Sequence, residues 1–110
     1  MTHASTTDLR ERLEREDKDY LEVLSEESVS VELARYPNSQ PKTPHKTDEL
    51  YVILSGSGQV HVGPEQHAVT EGDVIYVEQG TEHDFVDIED EITALVVFTD
   101  AEESVLGQNI

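Results

Sequence analysis

The feature that most constrains this chain is a series of short apolar segments separated by turn-forming residues. From Tyr20 onward, hydrophobic residues recur at every second position, which is the spacing of a strand with one buried face. Similar segments follow at intervals of roughly ten residues: ELYVILS, QVHV, HAVT, DVIYVE, HDFVDI and EITALVVFT. They are bounded by GSG, GPE, EGD, EQGTE and EDE. Short strands with such turns predict an all-β fold, an antiparallel sandwich or barrel.

The N-terminal segment follows a different pattern, because Leu9 and Leu13 are spaced to share one face of a helix. Thr7 or Asp8 can cap this short helix. A chain of 110 residues has the size of one domain. We therefore predict three parts: an N-terminal segment with the helix over residues 1–18, a barrel over 19–100 and a C-terminal tail over 101–110.

Composition excludes several classes of site. The chain has no cysteine, so disulfides, thiolate zinc sites and cysteine nucleophiles are excluded. No apolar run approaches the roughly 18 residues of a membrane span, and the N-terminus lacks the apolar core of a signal peptide. We therefore expect a cytoplasmic protein. No glycine-rich phosphate loop leads from a strand into a helix, which makes a nucleotide cofactor improbable.

The charge balance is strongly acidic. Asp and Glu number 25 against 7 Lys and Arg, and the net charge is -18. Such a field repels phosphate backbones and anionic lipid, so neither nucleic acid nor membrane is an expected partner. The acids are spread from Glu11 to Glu103 rather than gathered in one tail. Distributed acidity of this kind favours adaptation to high salt, and the alternative is an acidic protein from an ordinary environment.

Two of the five histidines stand near a carboxylate or at the start of a strand. His45 precedes Glu49 by four positions, so an extended backbone places both on one face. His83 opens the segment HDFVDI. Two imidazoles and a carboxylate suit zinc, iron, nickel or manganese better than calcium or magnesium. For the remaining histidines we expect surface positions: His3, His61 and His67.

The region around His45 resembles the first motif of the cupin superfamily. That motif has the form H-x-H, three or four residues, E, six residues, G. His45, Glu49 and Gly56 fit these offsets, whereas Thr43 stands where the first histidine is expected.

A later region resembles the second cupin motif, which reads G, five residues, P-x-G, two residues, H, three residues, N. Gly72, Gly80 and His83 are in register with it. Glu78 stands in place of the proline and Asp87 in place of the asparagine. The chain is therefore identified as a member of the cupin superfamily.

The resemblance implies an antiparallel jelly-roll barrel (a double-stranded β-helix) that holds a metal inside and is usually paired into a homodimer. It also implies which side chains face the barrel interior: Glu49, Tyr51, Ile53 and Ser55 from the first motif strand, and His83, Phe85 and Asp87 from the second. The implied ligands of a divalent transition metal (zinc, iron, nickel or manganese) are His45, Glu49 and His83.

Thr43 leaves this ligand set one histidine short. Gln40, His61 or Asp48 could supply the missing ligand, although Asp48 has the wrong strand parity beside Glu49. An empty or polar ligand pocket is the alternative to a metal site.

Three functions are considered for this chain. One is a binding module for a metal, a small-molecule ligand or both. The second is a metal-dependent enzyme of the dioxygenase or isomerase type, in which Tyr51 or Glu78 handles protons. The third is a structural or interaction protein without a ligand.

The acidic composition predicts that the stability of the fold depends on salt. Folding brings carboxylates together, and salt shortens the screening distance from about 30 Å at 0.01 M to about 3 Å at 1 M. We expect the Tm to rise steeply over this range of sodium chloride, and to rise less with an uncharged osmolyte. Differential scanning calorimetry measures both series. A flat Tm would contradict adaptation to high salt and would favour a basic partner for the acidic surface.

Overall fold

A computed structural model describes residues 3–38 and 46–99. It contains one helix and six strands in these ranges, with bounds in chain order: α1 Thr6–Arg15, β1 Tyr20–Ser25, β2 Val29–Tyr36, β3 Glu49–Val62, β4 Glu65–Thr70, β5 Val74–Val77 and β6 His83–Thr99. All pairings are antiparallel. The all-β prediction with a short N-terminal helix is confirmed. The predicted tail, 101–110, lies outside the described residues.

The two longest strands, β3 and β6, form the ladder on which the barrel is built. They pair from Glu49 opposite Phe98 at one end to Val62 opposite His83 at the other. The strand order is β1–β2–β6–β3–β4, and β5 pairs with the first residues of β3. Different parts of β3 therefore pair with β5 and with β4, while β6 runs beside both parts. This is the arrangement of a sheet that folds over on itself.

Two of the predicted turns are absent, because GSG and EDE lie within continuous strands. Gly56 has a φ of +96° and Asp87 a φ of +48°, and the β3–β6 register shifts three times between Ile53 and Gln59. Such bulges bend a strand while the ladder continues on both sides. The expectation that Asp87 faces the interior is wrong, because its side chain is exposed beside this bend.

The barrel interior contains the main hydrophobic cluster. Its buried members come from all the barrel strands except β1: Ala34, Tyr51, Ile53, Val60, Val69, Val77, Phe85, Ile92, Ala94 and Val96. Glu49 is buried among them, with 1% of its surface exposed. Along β3, Glu49, Tyr51 and Ile53 are buried and Leu50 is exposed, as the alternation predicts.

A second cluster lies on the outer face of the sheet, where α1 covers it. Leu13 packs with Leu21 and Leu33, which are all buried. The cap of α1 is Ser5, whose hydroxyl accepts from the Asp8 amide at 3.3 Å, so the prediction of Thr7 or Asp8 as the cap is wrong. Among residues 3–38 and 46–99, no helix has the length and hydropathy needed to cross a membrane.

The close approach of β3 to β6 at Gly56 generates a prediction on stability. A Cβ at Gly56 would lie 2.1 Å from the Glu91 carbonyl oxygen, whereas a Cβ at Gly72 would meet nothing within 4 Å. Both glycines have a left-handed φ. We therefore expect Gly72→Ala to lower the free energy of unfolding by about 1–2 kcal/mol. Gly56→Ala adds a backbone clash and should cost about 4 kcal/mol or more.

Urea unfolding of both variants checks this difference, because the shared conformational strain cancels between them. Equal losses of stability would contradict the close backbone contact between Gly56 and Glu91.

Candidate functional site

The curl of the β3–β6 ladder brings its two ends into contact inside the barrel. Glu49 and Val62 begin and end β3, and thirteen residues of extended strand would span about 43 Å. His83 pairs with Val62, yet His83 Nε2 lies 3.1 Å from Glu49 Oε2. Residues at opposite ends of one ladder therefore share one site.

Three polar atoms form a triangle at this site. The Tyr51 hydroxyl donates to Glu49 Oε2 at 2.9 Å and lies 2.9 Å from His83 Nε2. The third edge is the 3.1 Å contact between His83 Nε2 and Glu49 Oε2. Each residue contributes one atom, and each atom contacts the other two. We call Glu49, Tyr51 and His83 the barrel triad.

A hydrogen bond to the backbone fixes the orientation of the His83 ring. Its Nδ1 lies 2.9 Å from the Thr81 carbonyl oxygen, which can only accept, so Nδ1 carries the proton. In the neutral ring, Nε2 then presents its lone pair to the barrel interior. Histidines that bind metals typically anchor their second nitrogen in this way.

Burial and charge shift the acidity of two members of the triad. The hydrogen bond with Glu49 raises the pKa of His83, against an opposing effect of burial, and the Thr81 carbonyl adds to the increase. Burial raises the pKa of Tyr51, and charge on Tyr36 and Glu49 raises it further. The contacts of the triad therefore favour the protonated form of His83 and the neutral form of Tyr51.

An aromatic wall made by Tyr36, Tyr51 and Phe85 flanks the triad. Ring centroids lie 4.6 Å apart for Tyr36 and Phe85 and 5.5 Å apart for Tyr51 and Phe85. The Tyr51 ring also meets His83 edge-on at 5.8 Å. The wall restricts the Tyr51 ring and shields the polar atoms from water. Tyr36 was not predicted as a residue of the site, although it shares strand parity with the buried Ala34.

The structure separates the two candidates for proton handling. The Tyr51 hydroxyl belongs to the barrel triad. Glu78 is exposed in the turn between β5 and β6, where its carbonyl accepts from the Thr81 amide at 3.1 Å. Its carboxylate therefore faces solvent.

Two of the proposed replacement ligands also point elsewhere. His61 is exposed, on the opposite face of β3 from Val60. Asp48 Oδ1 accepts from the Gln79 amide at 2.9 Å, and the Asp48 carbonyl accepts from the Thr99 amide at 3.0 Å. These bonds attach the start of β3 to the turn before β6 and to the end of β6.

His45, Gln40 and Thr43 lie outside the described residues. Within the part of the chain that the structure describes, no group of three or more His, Cys, Asp and Glu side chains has the arrangement of a metal site. The described part of the predicted ligand set is the pair Glu49 and His83. The buried carboxylate of Glu49 and the half-buried imidazole of His83 provide oxygen and nitrogen donors that fit zinc, iron, nickel or manganese.

The Glu49–His83 contact generates a prediction for protein stripped of metal by a chelator. Because Glu49 raises the pKa of His83, Glu49→Gln should lower that pKa toward or below the ordinary histidine value. Titration of the imidazole resonances by NMR measures this shift. Glu82→Gln removes an exposed carboxylate next to His83 in sequence and is the matched control, with little change expected. Equal pKa values in wild type and Glu49→Gln would contradict the contact.

Solved structures share this fold at low sequence identity. An RmlC-like cupin family protein from Methanocaldococcus jannaschii superimposes with a TM-score of 0.64 at 16% identity, covering 79% of this chain and 84% of that one. The DMSP lyase DddQ from Ruegeria pomeroyi gives 0.61 at 22% identity, covering 71% of this chain. This chain spans 41% of the DddQ chain. At these identities the similarity concerns the fold.

Sequence comparisons identify the family. An uncharacterized protein of Streptomyces coelicolor is 36% identical over 88 residues, which cover 78% of this chain and 84% of the relative. A family model described as a cupin domain matches residues 31–99, which is more than half of the chain and includes most of β2 and all of β3, β4, β5 and β6. The fold, the motifs and these matches agree, and the chain belongs to the cupin family.

Proposed function

We propose that this chain is a small cupin that binds a divalent transition metal inside its barrel through His45, Glu49 and His83. A small-molecule ligand would occupy positions of the metal that the protein leaves open. The observation that supports the proposal is the buried 3.1 Å contact between Glu49 Oε2 and His83 Nε2, with the ring anchored on Thr81.

Electrostatics favours a cation at this place. Removing a carboxylate from water costs several kcal/mol unless an opposite charge or hydrogen bonds compensate it. Glu49 is 1% exposed and faces the His83 imidazole and the Tyr51 hydroxyl. A metal would compensate the same carboxylate while His83 becomes neutral and presents Nε2 as a donor. The site therefore suits either a protonated imidazole or a metal.

His45 completes the proposed ligand set by its position in the first cupin motif. It precedes Glu49 by four residues, and β3 begins at Glu49. Zinc, iron, nickel and manganese remain the candidate metals, because each accepts imidazole and carboxylate ligands.

A metal-dependent enzyme of the dioxygenase or isomerase type is the second candidate function, and the position of Tyr51 favours it. A bound metal would supply Lewis-acid chemistry. The Tyr51 hydroxyl lies beside both described ligands and could donate a proton to a bound small molecule or accept one from it. The aromatic wall limits access of water to this proton.

Several expectations from the sequence stay predictions. They are the homodimer, the adaptation to high salt, the cytoplasmic location and the absence of nucleic acid and membrane partners.

The proposal predicts that His83→Ala abolishes stoichiometric metal binding, because it removes one of the two ligands that the structure describes. Apoprotein is titrated with zinc and with anaerobic iron(II) by calorimetry, and metal content is measured by elemental analysis. We expect the affinity to fall by about 100-fold or more, given that loss of an outer-sphere partner alone costs 10–100-fold.

His61→Ala is the matched control, since it removes an exposed imidazole from β3 and should leave the metal content unchanged. Circular dichroism establishes that both variants fold. If folded His83→Ala retains the metal content of wild type, the site assignment is wrong.

A further inference from the structure

We propose that Tyr51 is a ligand of the metal, through its phenolic oxygen, in a chain whose first motif has Thr43 in place of a histidine. This inference rests on the proposed metal-binding function and extends it to a site with Glu49, His83 and Tyr51 on one face. It changes Tyr51 from a neighbour of the metal site into a part of it.

The geometry of the barrel triad supports this assignment. In an octahedral site with bonds of about 2.1 Å, neighbouring ligand atoms lie about 3.0 Å from one another. The triangle formed by Glu49 Oε2, Tyr51 Oη and His83 Nε2 has edges of 2.9, 2.9 and 3.1 Å. Each edge is therefore close to the separation of neighbouring ligands in an octahedral site. The three donor atoms of the triangle are therefore close enough together to bind one metal ion.

The position of Tyr51 on the strand makes this triangle possible. Tyr51 lies two residues after Glu49 on β3, so both side chains project from the same face. Its ring is held by Phe85 at 5.5 Å and by His83 at 5.8 Å, with Tyr36 beyond. A ligand that is already oriented loses little conformational freedom when the metal binds.

The alternative donors on the described strands do not reach this place. Asp48 is bonded to the Gln79 amide, and the His61 side chain is exposed. Tyr51 is buried, with 5% of its surface exposed, and its hydroxyl contacts both described ligands. Among the described residues, Tyr51 is therefore a better candidate for the additional ligand than Asp48 or His61.

Coordination by Tyr51 has a defined proton balance. The O–H bond breaks, a bond between Oη and the metal forms, and the proton leaves to solvent. Glu49 and a Tyr51 phenolate contribute two negative charges, which balance a divalent cation when the histidines are neutral.

A spectroscopic experiment tests the proposal. Apoprotein is loaded with iron(II) without oxygen and then oxidised in air to iron(III), because a phenolate bound to iron(III) gives an intense visible charge-transfer band. We expect this band in wild type and its loss in Tyr51→Phe. The affinity of Tyr51→Phe for zinc should fall by about tenfold or more.

Two other tyrosines provide matched comparisons. Tyr76→Phe removes an exposed phenol from β5 and should retain the band. Tyr36→Phe removes the phenol nearest to Tyr51, and it should also retain the band. A band that is lost in Tyr36→Phe and kept in Tyr51→Phe would overturn the assignment.

The outcomes separate this proposal from the proposed function. Stoichiometric iron(III) in wild type without a charge-transfer band would overturn Tyr51 as a ligand and leave the metal site intact. Failure of wild type to bind zinc or iron would overturn both proposals. Should Tyr51→Phe not fold, zinc titration of wild type gives the answer, because coordination produces the ultraviolet difference spectrum of a phenolate and its absence contradicts the proposal.

Discussion

The continuous ladder between β3 and β6 is the constraint on which the remaining structure depends. Neither strand ends where the sequence has its glycine and acidic clusters, so the ladder crosses from one layer of the barrel to the other. The strand bends at Gly56, where the absence of a side chain lets the backbone of Glu91 come close. Straight strands of the same length would leave Glu49 and His83 far apart.

The barrel combines an apolar interior with one polar cluster, and these two features support each other. Ile53, Val96 and Ala94 exclude water from the interior. Exclusion of water strengthens the electrostatic interactions among Glu49, Tyr51 and His83. The same exclusion makes each of these groups costly to bury alone. The triad is therefore stable as a unit, and loss of one member changes the state of the other two.

Much of the fold could be predicted from the sequence, because period-two alternation reports directly on burial. Strand parity placed Glu49, Tyr51 and Ile53 on one face, and the resemblance to cupins implied that this face is the interior. The continuity of β3 could not be predicted, because a Gly-Ser-Gly segment is compatible with a turn and with a bulge. The cap at Ser5 was missed for a smaller reason: several residues that can cap a helix stand close together, and the helix begins at Thr6.

The sequence predicted which residues belong to the candidate site, but it did not predict the contacts between their side chains. Motif spacing identified Glu49 and His83, and parity placed Tyr51 on their side of the strand. The contact of the Tyr51 hydroxyl with both depends on the curl of the ladder, which no local pattern specifies. Tyr36 was missed for the same reason, since its ring reaches the site across the interior.

The two hydrogen bonds of Asp48 have a consequence for fidelity of folding. They tie the residue before β3 to Gln79 and to Thr99, at two separate points of the chain. A slip of β3 by one residue would exchange the places of Glu49 and Leu50, leaving an apolar interior without its acid. Such a slip would also break both attachments of Asp48. The hydrogen bonds of Asp48 therefore destabilise a misaligned barrel relative to the native one, including a misaligned barrel that still buries apolar side chains.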